Sequence, residues 1–371
     1  MKILIITRSF VREVSSFVKH AEASAPSLQF SVILPYYHDV LPAEVNILPL
    51  YFSHCIRGSF YPLRSLVSQI RTFRPDIVHV FEEYSGLMAF HATLFARLCC
   101  RHSKIIVYSA ENIPDNIRSV LRLPTKYVMA QADLAAVCSH GVKEVLKQEG
   151  FSKNIQVFPL GVDTSTFYKF PYSPLKAELQ LDSNFVLGYI GRLLRIKGIF
   201  FLLEVLRELP ENVHLLLLGS GPEDRHLRYT AVKLGVEKRV HILGEIAYQQ
   251  LPDYINCMDI GIVPSHTSKR WKEQFGRALV EMMSCELTVL GSDSGSIPEV
   301  LGNREYIFRD GDVRQLVTMV QTLMHAPKTR QSIGQRGRQR VQTFYSIEQM
   351  YQGFFTMYQQ LCKKQGETGL R

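Results

Sequence analysis

The 371 residues, 46% hydrophobic and 21% charged, exceed the ~250–300 at which a single core stops growing, so two domains are expected and disorder, collagen-like fibres and small disulfide scaffolds are excluded. The net charge of +9 is compatible with nucleic acid, a membrane surface or an anionic small molecule. It is spread evenly, with 17 Lys/Arg against 13 Asp/Glu in residues 1–165 and 26 against 21 beyond, and the lack of a basic tail or block speaks against a nucleic-acid arm.

In chain order, β-branched and aliphatic runs alternate with helical patterns, which predicts parallel sheets covered on both faces. The first half offers strands at 2–7, 30–34, 45–50, 76–80, 104–108, 134–138 and 155–159. A helix follows Ser139, with Val142, Val145 and Leu146 at helical spacing behind a cap. The second half repeats the scheme with strands at 185–190, 214–219, 239–243, 260–264, 287–290 and 306–308. Leu202, Val205, Leu206 and Leu209 line one helix there, and Val313, Leu316, Val317 and Val320 another. Residues 163–184 hold two prolines and several turn formers without clean periodicity, which reads as an interdomain connection. The boundaries expected are therefore a domain at 1–165, a linker at 166–184, a second domain at 185–345, and a tail at 346–371. That tail opens with an amphipathic helix bearing Met350, Phe354, Met357 and Leu361, which is expected to return to the first domain. Both domains are read as Rossmann-like.

Seven cysteines are an odd count with only Cys99 and Cys100 close together, so neither a disulfide ladder nor a C-x-x-C zinc knuckle is expected and a reducing cytoplasm is. The apolar stretch 87–100 contains His91 and Arg97 and falls short of a membrane span. The start, MKILIITRSF, is too short an apolar run to be a signal peptide.

In doubly wound sheets, ligands bind at the carboxyl ends of strands, where helix N-termini favour anions. Four segments of the second half stand at such ends. GRLLRIKG (191–198) offers Gly191 for close backbone approach, with Arg192 and Lys197 as cations suited to a diphosphate, or to an ordinary solvated loop. LGSGPE (218–223) holds Gly219 and Gly221 but lacks the third glycine of a dinucleotide fingerprint, so a nicotinamide role is minor. WKEQFGRALVEMMS (271–284) sets Glu273 and Glu281 eight apart, and a helix starting near Gly276 puts Glu281 about a turn and a half inside it. Carboxylates there can accept from sugar hydroxyls or merely offset the helix dipole. SDSGSIPEV (292–300) is a turn whose amides could cradle an anion, with Glu299 in the following helix as a ligand or a capping residue.

Together with FPLGVDTSTF (158–167) and FRDGDVRQL (308–316), these segments stand in the order and spacing of the family-four retaining glycosyltransferases, glycosyl transferases group 1, and the chain resembles that family over nearly its whole length. The resemblance implies an α/β GT-B fold, two Rossmann-like domains facing across a cleft. It implies that Arg192 and Lys197 bind the donor diphosphate and stabilise the leaving nucleotide. Glu273 would hold the donor sugar's hydroxyls with amides of the loop at Phe275 and Gly276. Glu281 would hold the nucleotide ribose, and the base would lie near Gly244 to Ile246. The donor would be a UDP- or GDP-sugar, with no cofactor and no metal.

The first domain matches less well. Its first loop, TRSFVREV, has no glycine, and SAENIP (109–114) puts Glu111 or Asn112 where members commonly have a histidine, so Glu111 would act catalytically by orienting the sugar or acceptor, or merely end a strand, and Asn112 is an acceptor-side candidate. His79, Glu82 and Glu83 end a strand and are acceptor-side candidates. His91 reads as a core histidine. Asp310-Gly311-Asp312 reads as a turn with Asp312 capping a helix rather than a metal-binding D-x-D. Arg57, Arg64, Arg71 and Arg74 fall near one helix side, a solvated face by default and a lipid-docking face as the sharper alternative.

These readings combine into a cytoplasmic enzyme, peripheral on the membrane in one version, that transfers a sugar with retention to a glycan, lipid-linked or small-molecule acceptor in cell-envelope or polysaccharide synthesis. The carboxylate pair of a typical glycosidase is not evident, so the leaving phosphate is expected to assist deprotonation of the acceptor. A catalytically impaired nucleotide-binding partner and a nucleotide-sugar epimerase are the alternatives; no nucleic-acid partner is expected.

Overall fold

The computed structural model describes residues 1–8, 10–24, 28–34, 45–47, 51–53, 58–114, 121–171 and 174–368. The chain divides into two compact units, Met1–Gly161 with Ile347–Arg371, and Val162–Ser346.

The first unit carries β1 (Lys2–Ile6), β2 (Gln29–Leu34), β3 (Val45–Ile47), β4 (Tyr51–Ser53), β5 (Gly58–Phe60), β6 (Ile77–Glu83), β7 (Lys104–Ser109), β8 (Leu134–Val137) and β9 (Asn154–Val157). Seven of them form one sheet in the order β3-β2-β1-β6-β7-β8-β9, with every pairing parallel. The inner strands are largely apolar because both faces of such a sheet are covered. A small antiparallel pair, β4 with β5, lies outside the predicted scheme.

The helix Ile347–Thr368 belongs to this unit and buries Met350, Phe354, Met357 and Tyr358. Phe354 meets the rings of Phe17, His79, Phe81 and Phe158 at centroid distances of 5.5, 5.1, 5.8 and 4.7 Å. This fully buried ring contributes about 1.5–3 kcal/mol in transfer free energy.

The second unit carries β10 (Phe185–Ile190), β11 (Val213–Leu218), β12 (Val240–Gly244), β13 (Ile260–Val263), β14 (Thr288–Ser292) and β15 (Ile307–Phe308). They form a parallel sheet in the order β12-β11-β10-β13-β14-β15. Each sheet therefore reverses its winding once, between β1 and β6 in the first unit and between β10 and β13 in the second. The carboxyl ends of those pairs are where doubly wound sheets hold ligands.

The segment expected as a linker, 166–184, is part of the second unit, which begins at Val162. Its turn formers are tied down locally. Asp163 accepts from the Ser165 amide at 2.9 Å and the Thr166 hydroxyl at 2.8 Å. Phe167 is fully buried, and its carbonyl accepts from Ser284 Oγ at 2.6 Å and Arg338 at 3.0 Å. Composition marked the turns without telling that they are anchored.

Candidate functional site

The second unit's switch point is built from two loops. The first leaves β10 at Gly191, passes through a short 3-10 turn (Arg195–Lys197), and enters the helix Ile199–Arg207. Gly198 joins turn to helix at φ +76°, where a Cβ would stand 2.0 Å from the Pro264 carbonyl oxygen. That packing draws the Lys197 loop against the loop leaving β13, and the His266 amide adds a bond to the Ile196 carbonyl at 2.8 Å.

The consequence is a contact between residues far apart in sequence. Lys197 Nζ donates to Glu273 Oε1 at 3.0 Å and Oε2 at 2.8 Å. Ser265 Oγ donates to Glu273 Oε2 at 2.5 Å. The same ammonium lies 4.6 Å from the centroid of the Trp271 ring. Glu273 is only 6% exposed, and a carboxylate so placed needs this cation and hydroxyl to offset its lost hydration.

The backbone of Glu273 is held as closely. Its amide donates to Ser294 Oγ at 3.3 Å and its carbonyl accepts from the Ser296 amide at 3.0 Å. Gly295, at φ +57°, leaves no room for a side chain, since a Cβ would lie 2.0 Å from the Glu273 carbonyl oxygen. The SGS turn is thus a brace for Glu273. The helix Ile297–Leu301 that follows it is five residues long.

Two more glycines let strand ends meet. A Cβ on Gly219 (φ +137°) would stand 2.0 Å from the Gly191 carbonyl oxygen, and one on Gly221 2.3 Å from that of Leu193. Gly219 also donates its amide to the Gly244 carbonyl at 2.7 Å. The Gly191–Arg192 loop is steadied by Tyr189, whose hydroxyl donates to the Arg192 carbonyl at 2.8 Å; burial, then the nearby Glu273 charge, keep that phenol protonated far above its usual range.

Arg192 is exposed and its guanidinium has no ion-pair partner among the described residues. Gly276 caps the helix Arg277–Ser284, which places Glu281 on its second turn, 6% exposed. The Phe275 ring is buried edge-on to Tyr345, so only its backbone is available to a ligand. Gly244 ends β12 at φ +76°, and Ile246 just beyond is half-buried. Asp312 caps the helix Val313–Met324 through the Gln315 amide at 2.9 Å. Asp310 is taken up by His266 Nδ1 at 2.5 Å and the Thr267 amide at 2.7 Å.

The first unit corrects one expectation. His79 is not at an open strand end: it is 1% exposed, shares a 2.7 Å bond between Nδ1 and the Tyr358 hydroxyl, and packs against Phe81 and Phe354. Burial lowers its pKa to about 3, so it is a neutral core residue. Glu82 is buried and Glu83 half-buried, and both are bound internally as well. Glu82 accepts from the Arg8 amide at 2.5 Å and the Arg8 guanidinium at 3.1 Å. Glu83 accepts from the Ala110 amide at 2.7 Å and Ser109 Oγ at 2.8 Å. Burial raises the Glu83 pKa to about 7 despite those bonds. Glu111 is half-buried and Asn112 is 2% exposed, both in the loop that Glu83 holds. Of the basic face, Arg64, Arg71 and Arg74 are exposed and Arg57 lies outside the described residues.

The residues unforeseen in the sequence are Ser265, Trp271, Ser294 and Tyr189. The lone tryptophan beside Glu273 was the one usable signal; the serines are identified by hydrogen bonds alone.

The family described as glycosyl transferases group 1 matches residues 174–340, and that described as glycosyltransferase family 4 matches residues 21–166. The capsular polysaccharide biosynthesis glycosyltransferase CapM of Staphylococcus aureus is 25% identical over 82% of this chain and 83% of its own length. The sulfoquinovosyl transferase SQD2 of Arabidopsis thaliana is 26% identical over 75% of this chain and 56% of its own. Among solved structures, Anabaena HepE in complex with UDP and glucose superposes with a TM-score of 0.80 at 19% identity, covering 97% of this chain and 100% of that one. Sucrose-phosphate synthase of Thermosynechococcus elongatus gives 0.77 at 18% identity, covering 98% and 100%. These neighbours establish the GT-B fold.

Proposed function

Because the chain belongs to the group 1 glycosyl transferases, we propose that it moves a sugar from a UDP- or GDP-linked donor to a glycan, lipid-linked or small-molecule acceptor, with retention at the anomeric carbon, in cell-envelope or polysaccharide synthesis. The observation that carries this reading is the Lys197–Glu273 contact at the switch point of the second unit, 2.8 Å long and assembled from two separate loops. The names of the relatives, a capsular polysaccharide glycosyltransferase and a sulfoquinovosyl transferase, support the reaction class. The complex of HepE with UDP and glucose supports the donor.

In this reading the bond from the anomeric carbon to the donor's diphosphate breaks while the acceptor oxygen bonds that carbon on the same face. The acceptor's proton passes to an oxygen of the departing diphosphate. Lys197 and Arg192 face the charge that grows on the diphosphate, which is where fixed cations lower a barrier most. Glu273 accepts from sugar hydroxyls, Glu281 from the ribose, and amides at Phe275 and Gly276 complete the cradle. Glu111 and Asn112 serve the acceptor, whereas Glu82 and Glu83 position loops. These cations replace a metal, and the protein works at the cytoplasmic side. No helix among the described residues is long and apolar enough to cross a membrane, and the exposed Arg64, Arg71 and Arg74 would meet anionic headgroups.

A thermal-shift screen of UDP-, GDP- and ADP-sugars tests the donor class. A ligand at about 100 times its dissociation constant adds ~2.7 kcal/mol. Stabilisation by a UDP- or GDP-sugar, then an anomeric coupling in the product matching the donor's, is the expected outcome. No response to any of them, or an inverted product, would overturn the reading.

A further inference from the structure

Trp271, the one tryptophan of the chain, has no part in the roles assigned so far. Its backbone closes a tight turn, with its carbonyl accepting from the Ser268 amide at 2.8 Å and from Ser268 Oγ at 3.2 Å. The turn sets the indole face 4.6 Å from Lys197 Nζ while both Glu273 oxygens lie 2.8 and 3.0 Å from the same nitrogen. We propose that Trp271 is a positioning residue for the donor diphosphate, keeping the Lys197 ammonium at the site when Glu273 turns its oxygens to the donor. This rests on the donor reading above.

The argument is one of exchange. An ammonium has three N–H donors and a flexible four-carbon stem. In the structure Glu273 takes two of those donors, and the carboxylate is neutralised by the group it must release when sugar hydroxyls arrive. Diphosphate oxygens take over the N–H bonds. The indole face competes for none of these hydrogen bonds, because it attracts the cation through its ring quadrupole, and the lysine stem can lie along it in either state. It is therefore the contact that persists through the exchange. Without it the lysine depends on Glu273 alone, and releasing Glu273 releases the cation.

A single tryptophan makes the test clean, since biosynthetic fluorotryptophan changes position 271 and nothing else. Calorimetry with UDP and with GDP selects the nucleotide that the wild-type protein binds. Trp271→Leu should weaken that binding by about 3- to 30-fold, while Trp271→Phe, which keeps an aromatic face, stays within about 3-fold of wild type. Mono-, di- and trifluorination, which drain the ring face at nearly constant shape, should weaken binding stepwise. In the ligand-free 5-fluorotryptophan protein, Lys197→Met should move the single fluorine resonance. Melting temperatures near wild type would show that the variants fold. A flat fluorination series, equal Phe and Leu variants, or an unmoved fluorine resonance in a wild type that binds nucleotide would overturn the proposal alone. Failure of the wild type to bind either nucleotide would overturn the donor reading and the proposal with it.

Discussion

The same topological position is occupied in both units by a basic residue paired with a glutamate, and the two pairs are built to opposite ends. In the first unit Arg8, just past β1, meets Glu82 on β6 at 3.1 Å. In the second Lys197, past β10, meets Glu273 beyond β13 at 2.8 Å. Glu82 sits on its strand and takes the Arg8 amide into its own carboxylate. The backbone donor that could meet an incoming anion is already satisfied by an internal one. Glu273 stands ten residues past the end of β13, and its carboxylate takes the Lys197 ammonium and the Ser265 hydroxyl. Cations and hydroxyls can be handed to a ligand, whereas a part-buried backbone amide such as that of Arg8 is given up at a loss. The loop after β1, whose sequence has no glycine, is thus held by an internal carboxylate at the position where the proposed function puts the donor diphosphate after β10.

The largest effect that would sharpen this contrast is on turnover. Lys197→Ala should lower the rate of transfer by about 10²- to 10³-fold, the usual cost of removing a fixed group from developing charge, with the far-ultraviolet circular dichroism unchanged. Arg192→Ala should act in the same direction. Near-normal rates in both would mean that the second unit's pair is as closed as the first's.

Gly295→Ala attacks the brace rather than the charge. The added methyl would overlap the Glu273 carbonyl oxygen, 2.0 Å away, at a φ of +57° that alanine disfavours. A loss of about 2–3 kcal/mol in urea unfolding is expected from overpacking and backbone strain, together with loss of transfer because Glu273 is displaced. Unfolding curves that overlay those of wild type would remove the brace from the argument.

Glu83→Gln tests the sealed side through pH. The folded-state pKa of Glu83 is raised to about 7 from an ordinary 4.5, chiefly by burial. The folded protein therefore holds a proton that the unfolded chain releases. Below about pH 4.5 neither form carries a penalty. As pH rises toward 7 the unfolded state gains the ionised form first and stability falls. Glutamine keeps the acceptor for Ala110 and removes the titration. The variant should match wild type at pH 5 more nearly than at pH 8, where it gains on the order of 2 kcal/mol. A difference between the two proteins that stays constant from pH 5 to 8 would show that Glu83 does not titrate there.

How much of this could be read from the sequence differs along the same line. The parallel strands were legible because buried strands are unbroken apolar runs, and β10 was found at its observed bounds, Phe185–Ile190. The second unit's loops were legible because Gly219 and Gly221 stand where backbones must approach closely, a requirement that leaves its mark in residue identity. Glu273 and Lys197 could each be named, yet their mutual contact could not, since it depends on loop packing at Gly198 against Pro264. In the first unit the sequence placed His79, Glu82 and Glu83 together at the end of a strand, and only the arrival of Phe354 and Tyr358 shows that His79 is covered. The antiparallel pair β4 and β5 was illegible for a simpler reason: three residues each give no period to count.

The smallest effect decides whether Glu82 is the sealing anion or only a salt-bridge partner. Arg8 is 34% exposed in its side chain, so the ion pair itself is screened by water and contributes roughly 0–1 kcal/mol. The bond from the Arg8 amide is different, because it reaches a carboxylate whose side chain is 2% exposed. Glu82→Gln keeps an oxygen for that amide and removes the charge, and should cost about 1 kcal/mol, with little dependence on salt. Glu82→Leu removes the acceptor and should cost about 1 kcal/mol more, the low end of the penalty for an unsatisfied donor, since the Arg8 amide is only part-buried. If both variants lose the same amount, and the loss fades between 0.05 and 1 M salt as a screened surface pair does, the contact is electrostatic decoration and the loop after β1 is held by something else. If the leucine variant alone falls, the first unit has closed with its own carboxylate the place where the proposed function puts the donor diphosphate in the second.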